Sequence, residues 1–253
     1  MVARTAPLPN IKKLFVPDPG YVIIDADLDR ADVQVVIWEA DDDDLKAKIR
    51  EGVDLHIENA KDIFGLRSIH DVTKLQRQQT KGFVHGTNYA GKPPTMAKTV
   101  GLTTHEADQA QKRWFAAHPG ILEWHRRTEL QLQTTRTVYN MFGYRRFYFE
   151  RIEGLLPRAL AWNPQSTVGI VTNRGLMNIY RDLPQVQLLL QVHDSLVFQI
   201  PHNAVGTLLP KIKTALEIVI PYDDPLIIGV GCEASSRSWG DCKKIDWSAQ
   251  AIN

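Results

Sequence analysis

The sequence predicts a mixed α and β fold, and three observations carry that reading. Strand-forming apolar runs sit near both ends of the chain, at Tyr21–Ala26, Val186–Val192 and Leu196–Ile200. Between them the apolar spacing turns helical, as in Val33, Val36, Ile37 and Ala40. At 253 residues the chain is long enough for a large core and for one or two domains.

Taken in order, Lys12–Val16 and Tyr21–Ala26 read as strands separated by the turn Pro17-Asp18-Pro19-Gly20. A helix from about Asp29 ends at the acidic run Asp41–Asp44, which reads as a solvated helix end rather than a metal site. Thr103-x-x-Glu106 is a capping-box signature opening a helix through Ala117, and Pro119-Gly120 separates it from a helix reaching about Thr135. Asn140–Phe149 reads as a hairpin, and Pro164–Tyr180 as a helix with Val168, Val171, Gly175 and Ile179 near one stripe. Pro221–Pro225 marks a turn before a last strand, Leu226–Gly231. There is no internal repeat and no long low-complexity linker.

No apolar run approaches the ~18 to 20 residues of a membrane span, and the polar N-terminus lacks a secretory apolar core. The partners expected are therefore not membranes, and the compartment expected is the cytoplasm. Cys232 and Cys242 are too few and too far apart for the usual zinc patterns, so they read as free thiols in a reducing compartment. The net charge of +1 hides an uneven distribution. From Lys61 to Arg158 there are 16 Lys and Arg against 8 Asp and Glu, a net of +8, which leaves −7 for the flanks. The middle would attract phosphates and the flanks cations.

Two acidic strand ends fall in those flanks. In Leu188–Leu196, His193-Asp194 reads as the tip of a β-hairpin, and a lone carboxylate there is usually only turn chemistry. Upstream, Tyr21–Asp27 is a second apolar run delivering an aspartate to its exit. Two such carboxylates on neighbouring strands could hold a pair of divalent metal ions for phosphoryl chemistry. In the basic middle, Arg77, Lys81, His85 and Tyr89 are spaced by four, which keeps them within roughly a 120° arc of one helix face. Two cations followed by two rings suit a nucleoside triphosphate. Taken singly, Arg77 or Lys81 reads as a surface ion pair, Tyr89 as a packed ring and His193 as a turn residue. Combination with the carboxylates favours the functional reading for all but His193, expected mainly to support the hairpin.

With these motifs the chain resembles the DNA polymerase I family, the family A polymerases, nearly end to end and in the manner of a divergent phage member. The family's first motif is matched from Asp27 through Asp32 into the helix beyond. Its second, Arg-x3-Lys-x3-aromatic-Gly-x2-Tyr-Gly, is matched at Arg77, Lys81, Gly86 and Tyr89, with His85 in the aromatic position and Ala90 for the last glycine. Its third, Val-His-Asp-Glu, is matched by Val192-His193-Asp194, with Ser195 in place of the glutamate. Asp54-Leu55-His56, Phe142–Tyr148 and Gln165-Ser166-Thr167 resemble lesser motifs in the same order. Three motifs in order make coincidence very improbable.

The resemblance implies an α/β architecture of the α+β kind: an antiparallel-sheet palm, residues 1–55 and 150–253, with a mainly helical fingers insertion, 56–149. Thumb and exonuclease domains are expected to be absent, with a separate chain carrying one or both as a partner. It implies template-directed addition of dNTP to a primer 3′ end, with primer-template DNA as the other partner. Asp27, Asp194 and the Leu28 carbonyl are the expected ligands of two Mg2+ ions, and Lys81 is the expected proton donor to pyrophosphate. Arg77, Lys81 and His56 are expected at the phosphates, His85 and Tyr89 at sugar and base, and Asp32 at the sugar 2′ position, where the family has a glutamate. Arg145, Arg146, Gln165 and His193 are expected on the DNA side. Second readings are a polymerase-derived nucleic-acid-binding subunit that has lost catalysis, and, from Asp32 alone, an RNA-synthesising relative. Retained Asp27, Asp194, Arg77 and Lys81 argue against the first.

Overall fold

A computed structural model describes residues 9–252. Its helices are α1 (Ala31–Ala40), α2 (Asp43–Arg50), α3 (Leu55–Phe64), α4 (Lys74–Asn88), α5 (Pro93–Val100), α6 (Thr104–Ala117), α7 (Pro119–Thr134), α8 (Leu156–Asp182) and α9 (Val205–Leu216). The strands are β1 (Tyr21–Leu28), β2 (Thr137–Tyr139), β3 (Arg145–Phe147), β4 (Gln187–Val192), β5 (Ser195–Pro201), β6 (Val219–Ile220), β7 (Leu226–Ile227), β8 (Val230–Ser235) and β9 (Lys243–Lys244). Among these residues no helix is long and apolar enough to cross a membrane.

The chain forms two compact units. One comprises Met1–Ala31, Val168–Ile220 and Asp224–Asn253, the other Asp32–Thr167 with Pro221–Asp223. The first unit is built on a five-stranded sheet in the order β4-β5-β1-β8-β9. Every pairing in it is antiparallel, so both ends of the chain meet in one sheet, as expected. Alternation along β1 divides its side chains between two clusters. Val22, Ile24 and Ala26 pack with Phe198, Leu209 and Ile212, whereas Ile23 packs with Val197 and Trp239.

The second unit is mainly helical, with clusters around Val36, Ile121, Trp124 and Leu160 and around Leu132, Val138 and Tyr148. Thr103 and Glu106 form the expected capping box, with Glu106 N–H bonding the Thr103 hydroxyl at 3.2 Å and Thr103 N–H the Glu106 carboxylate at 2.7 Å. At α7, Pro119 occupies the first turn, and a side chain at Gly120 would meet the Ala40 carbonyl oxygen at 2.2 Å. That glycine lets the ends of α1 and α7 touch.

Several elements differ from the sequence expectation. Residues Ile11–Leu14 form a 3-10 turn rather than a strand, because the Asn10 side chain accepts from Lys12 N–H at 3.1 Å. The helix expected to open at Pro164 begins at Leu156, with the proline inside α8. The hairpin starts at Thr137, and Asn140 shapes its turn by accepting from the N–H groups of Phe142 and Tyr144, each at 3.1 Å. The last strand is two: β7 pairs with β6, and β8 joins β1 after Gly229. The acidic run follows the end of α1 and is exposed at Asp41, Asp43 and Asp44, but Asp42 is buried, and its carboxylate caps α2 and bonds His118.

Candidate active site

Strand register brings the two aspartates together. Asp27 lies opposite Ser195 across the β1–β5 pair, so Asp194, one residue earlier, stands beside it in the two-residue turn. His193 takes a φ of 56°, the left-handed value that a two-residue hairpin demands. Leu28 N–H donates to the Asp194 carbonyl at 3.3 Å, and Asp29 N–H to the Gly229 carbonyl at 2.7 Å. These bonds tie the end of β1 to its neighbours on either side.

Asp27, Asp29, Asp194 and Glu233 line a cleft of about 810 Å3, with Lys12 and Lys244 as its cations. Partial burial, then the charges of Asp194, Asp25, Asp29 and Glu233, push the Asp27 carboxyl up to about 6. Such a surplus of hard oxygens suits a small divalent cation, whose charge would relieve the repulsion.

One member of this cleft was missed in the sequence. Asp25 lies two residues before Asp27, on the same face of β1. Its Oδ1 accepts from the Ser195 hydroxyl at 2.7 Å and its Oδ2 from the Trp239 indole N–H at 2.6 Å. The available signal was an acid on alternate positions with Asp27 in an otherwise apolar strand.

In the second unit, Thr73 caps α4 by a capping box with Gln76. Phe83, Val84 and Thr87 are buried, while Arg77, Lys81 and His85 are exposed. Arg77 is not free: Nε and Nη2 donate to Asp54 Oδ2 at 2.9 and 2.7 Å. Asp54 also caps α3, accepting from His56 N–H at 3.0 Å. Burial alone pushes the Asp54 carboxyl up, but Arg77 and that N–H hold it below its usual value. No acidic side chain pairs with Lys81 among the described residues.

Tyr89 caps the end of α4 and donates its hydroxyl to Asp32. Burial, then the charge and hydrogen bond of Asp32, push the phenol far above its ordinary value, so it remains a neutral donor. The His85 ring stands perpendicular to Tyr89 at 4.8 Å, and its Nδ1 is 3.5 Å from Asp32 Oδ2. Beyond Tyr89, Ala90 adopts a φ of 56° and Gly91 N–H bonds the Gly86 carbonyl at 2.8 Å. That left-handed residue closing a helix explains the value of a glycine there.

Arg145 and Arg146 are exposed on β3, with Arg146 5.0 Å above the Tyr148 ring. The hairpin is tied to α8 near the exposed Gln165: Asn163 Nδ2 donates to the Tyr139 carbonyl at 3.0 Å and Asn140 Nδ2 to the Ser166 hydroxyl at 2.9 Å. Elsewhere in this unit, Asp42, Asp44 and His118 each offer an atom within 4.8 Å of the others, close enough to share a metal ion. Asp42 is already bonded to His118 at 2.8 Å and Asp44 to Lys48 at 2.7 Å, so this cluster is accounted for as a helix cap.

Comparison with known proteins gives one consistent result. The chain is 28% identical over 244 residues to the thermostable DNA polymerase I of Thermus filiformis, covering 93% of this chain and 29% of that protein. It is 25% identical over 247 residues to the DNA polymerase of Mycobacterium phage D29, covering 97% of this chain and 39% of that protein. The chain thus spans well under half the length of these relatives. A solved POL domain of Pol1 from M. smegmatis, in complex with DNA primer-template and dNTP, matches at a TM-score of 0.81 and 22% identity. That match covers 91% of this chain and 42% of the other, and it shows a shared fold. The sequence profile of DNA polymerase family A matches residues 2–241, and the chain belongs to that family.

Proposed function

We propose that this chain carries out template-directed addition of deoxynucleotides to a primer 3′ end, the palm being residues 1–55 and 150–253 and the fingers 56–149. The observation that carries the reading is the pairing of Asp27 with Ser195, which sets Asp194 beside Asp27 in an acid-rich cleft. Asp27, Asp194 and the Leu28 carbonyl would hold two Mg2+ ions. When bound, such ions favour the ionised primer hydroxyl and offset charge on the leaving pyrophosphate.

The chain's own residues do the rest. Lys81 neutralises the triphosphate and donates a proton to the departing pyrophosphate. Arg77 exchanges its exposed pairing with Asp54 for phosphate, an exchange that costs little because exposed ion pairs contribute about 0 to 1 kcal/mol. His56 adds a phosphate contact. Tyr89 and His85 offer ring surface to the nascent pair, and Asp32, held by the Tyr89 hydroxyl, meets the sugar 2′ position. Arg145, Arg146 and Gln165 bind template and primer, and His193 shapes the turn that presents Asp194. A phage-related origin and a cytoplasmic setting belong to the same proposal.

Primer extension with DNA and RNA templates, comparing dNTPs with rNTPs in Mg2+, tests it. DNA-templated dNTP addition is the expected result. Tight primer-template binding without extension in any metal would favour the non-catalytic binding subunit.

A further inference from the structure

The third motif lacks a carboxylate at Ser195, yet the cleft does not lack the charge. Asp25 sits on the neighbouring strand, and the Ser195 hydroxyl donates to it at 2.7 Å. Its other oxygen accepts from the Trp239 indole at 2.6 Å, so the carboxylate is held from two sides. Both donors are neutral and leave its negative charge uncancelled. Among the described residues the cation paired with it, Lys12, is half exposed with Nζ at 4.0 Å, and that ammonium also sits 4.2 Å over the Trp239 ring. A pairing so long and solvated offsets little of the charge.

Asp25 and Asp27 are two residues apart on one strand, which places them on the same side of the sheet at roughly 7 Å. We propose that Asp25 is a positioning residue of the carboxylate centre: fixed by Ser195 and Trp239, it supplies across the strand pair the negative charge absent at position 195. The inference rests on the metal reading of Asp27 and Asp194. Held by Ser195 and Trp239 two residues before Asp27, Asp25 acts through its field on the bound cation. A fixed unit charge at that separation from a divalent ion, partly screened by solvent, is worth roughly tenfold in affinity.

The test is Mn2+ binding to the full chain, followed through the electron paramagnetic resonance of free Mn2+ and paired with melting temperature. Asp25→Asn keeps an acceptor for Trp239 and a donor for Ser195 while removing the charge. It should weaken Mn2+ binding roughly tenfold with little change in melting temperature. Asp25→Ser combined with Ser195→Glu, which moves the charge to the other strand, should recover most of that loss. Ser195→Ala keeps the charge but frees one side of the carboxylate, and should weaken binding by a smaller factor; it carries the test if Asp25→Asn folds poorly. Asp27→Asn is the control for the underlying reading. If Asp27→Asn loses Mn2+ while Asp25→Asn and Ser195→Ala bind as the unmodified chain does, the role of Asp25 is overturned and the metal reading stands. If Asp27→Asn also binds normally, both fall.

Discussion

Two charge clusters, one in each unit, are built in opposite ways. In the sheet-based unit, Asp27 and Asp194 are gathered with Asp29 and Glu233 in one cleft, and the cost appears as the elevated Asp27 carboxyl. In the helical unit, acids and bases near α4 satisfy each other: Arg77 with Asp54, Tyr89 with Asp32, Asp42 with His118. The first arrangement is one whose repulsion a bound cation would relieve. In the second, the Arg77–Asp54 pair is exposed and Asp42–His118 is buried. Folding favours the charged forms of Asp42 and Asp54 and opposes that of Asp27.

The largest stability effect should come from breaking a buried pair of the helical unit. Burial alone pushes the Asp42 carboxyl up, but the His118 ring and the Leu45 N–H together hold it below its ordinary value. A carboxyl lowered on folding stabilises above its unfolded value near 3.8, and that contribution disappears as pH falls through the folded value. Asp42→Ala also orphans His118, so it should cost about 3 kcal/mol at pH 7 and progressively less as pH falls below the unfolded value, measured by urea unfolding. An unaffected urea midpoint at pH 7 would erase the contrast between the units.

A smaller effect separates Arg77 from its partner. Asp54→Ala removes the α3 cap, costing about 1 kcal/mol, and leaves Arg77 unpaired. If Arg77 serves phosphate, dNTP affinity in an equilibrium titration should rise a few-fold. Unchanged or weaker affinity would leave Arg77 as a surface ion pair.

In the sheet-based unit the sign reverses. Asp27 has a raised carboxyl, so folding favours its protonated form, and the stability this lends is lost as pH rises from about 4 through about 6. Asp27→Asn should therefore raise the metal-free melting temperature at pH 7 by about 2 °C, equivalent to under about 1 kcal/mol once solvent screening is discounted. The gain should close by pH 4. A lower melting temperature at pH 7 would mean that the carboxylates do not oppose folding.

How much of this could be read from sequence depended on how local each cause was. The end of β1 and the His193-Asp194 turn follow from alternation and turn chemistry, and the α4 face from its spacing of four. The Arg77–Asp54 and Asp32–Tyr89 partnerships join residues 23 and 57 positions apart, which no local pattern reveals. The Asp25–Ser195 bond needs the strand register, set over 170 positions of chain. Helix α9, for which no expectation was drawn, carries Val205, Leu208, Leu209, Ile212 and Leu216 at helical spacing with Pro210 inside the run. Pro164 misled, reading as a boundary while lying within α8.

The smallest effect concerns backbone alone. Ala90 holds a left-handed φ at the end of α4, so Ala90→Gly relieves strain but frees the unfolded chain, for a net gain of a few tenths of a kcal/mol. A clear loss on thermal unfolding would show that the Ala90 methyl packs against something worth more than the strain.

The central claim is that the carboxylates gathered at the β4–β5 turn exist for a metal-dependent nucleotidyl transfer. Primer extension in Mg2+ by the unmodified chain and by Asp27→Asn and Asp194→Asn measures it directly. Extension by the unmodified chain is predicted, with each variant slower by roughly a thousandfold, the loss of about 4 kcal/mol of transition-state stabilisation. Primer-template binding should persist in both variants. Near-normal extension by either variant would contradict the account.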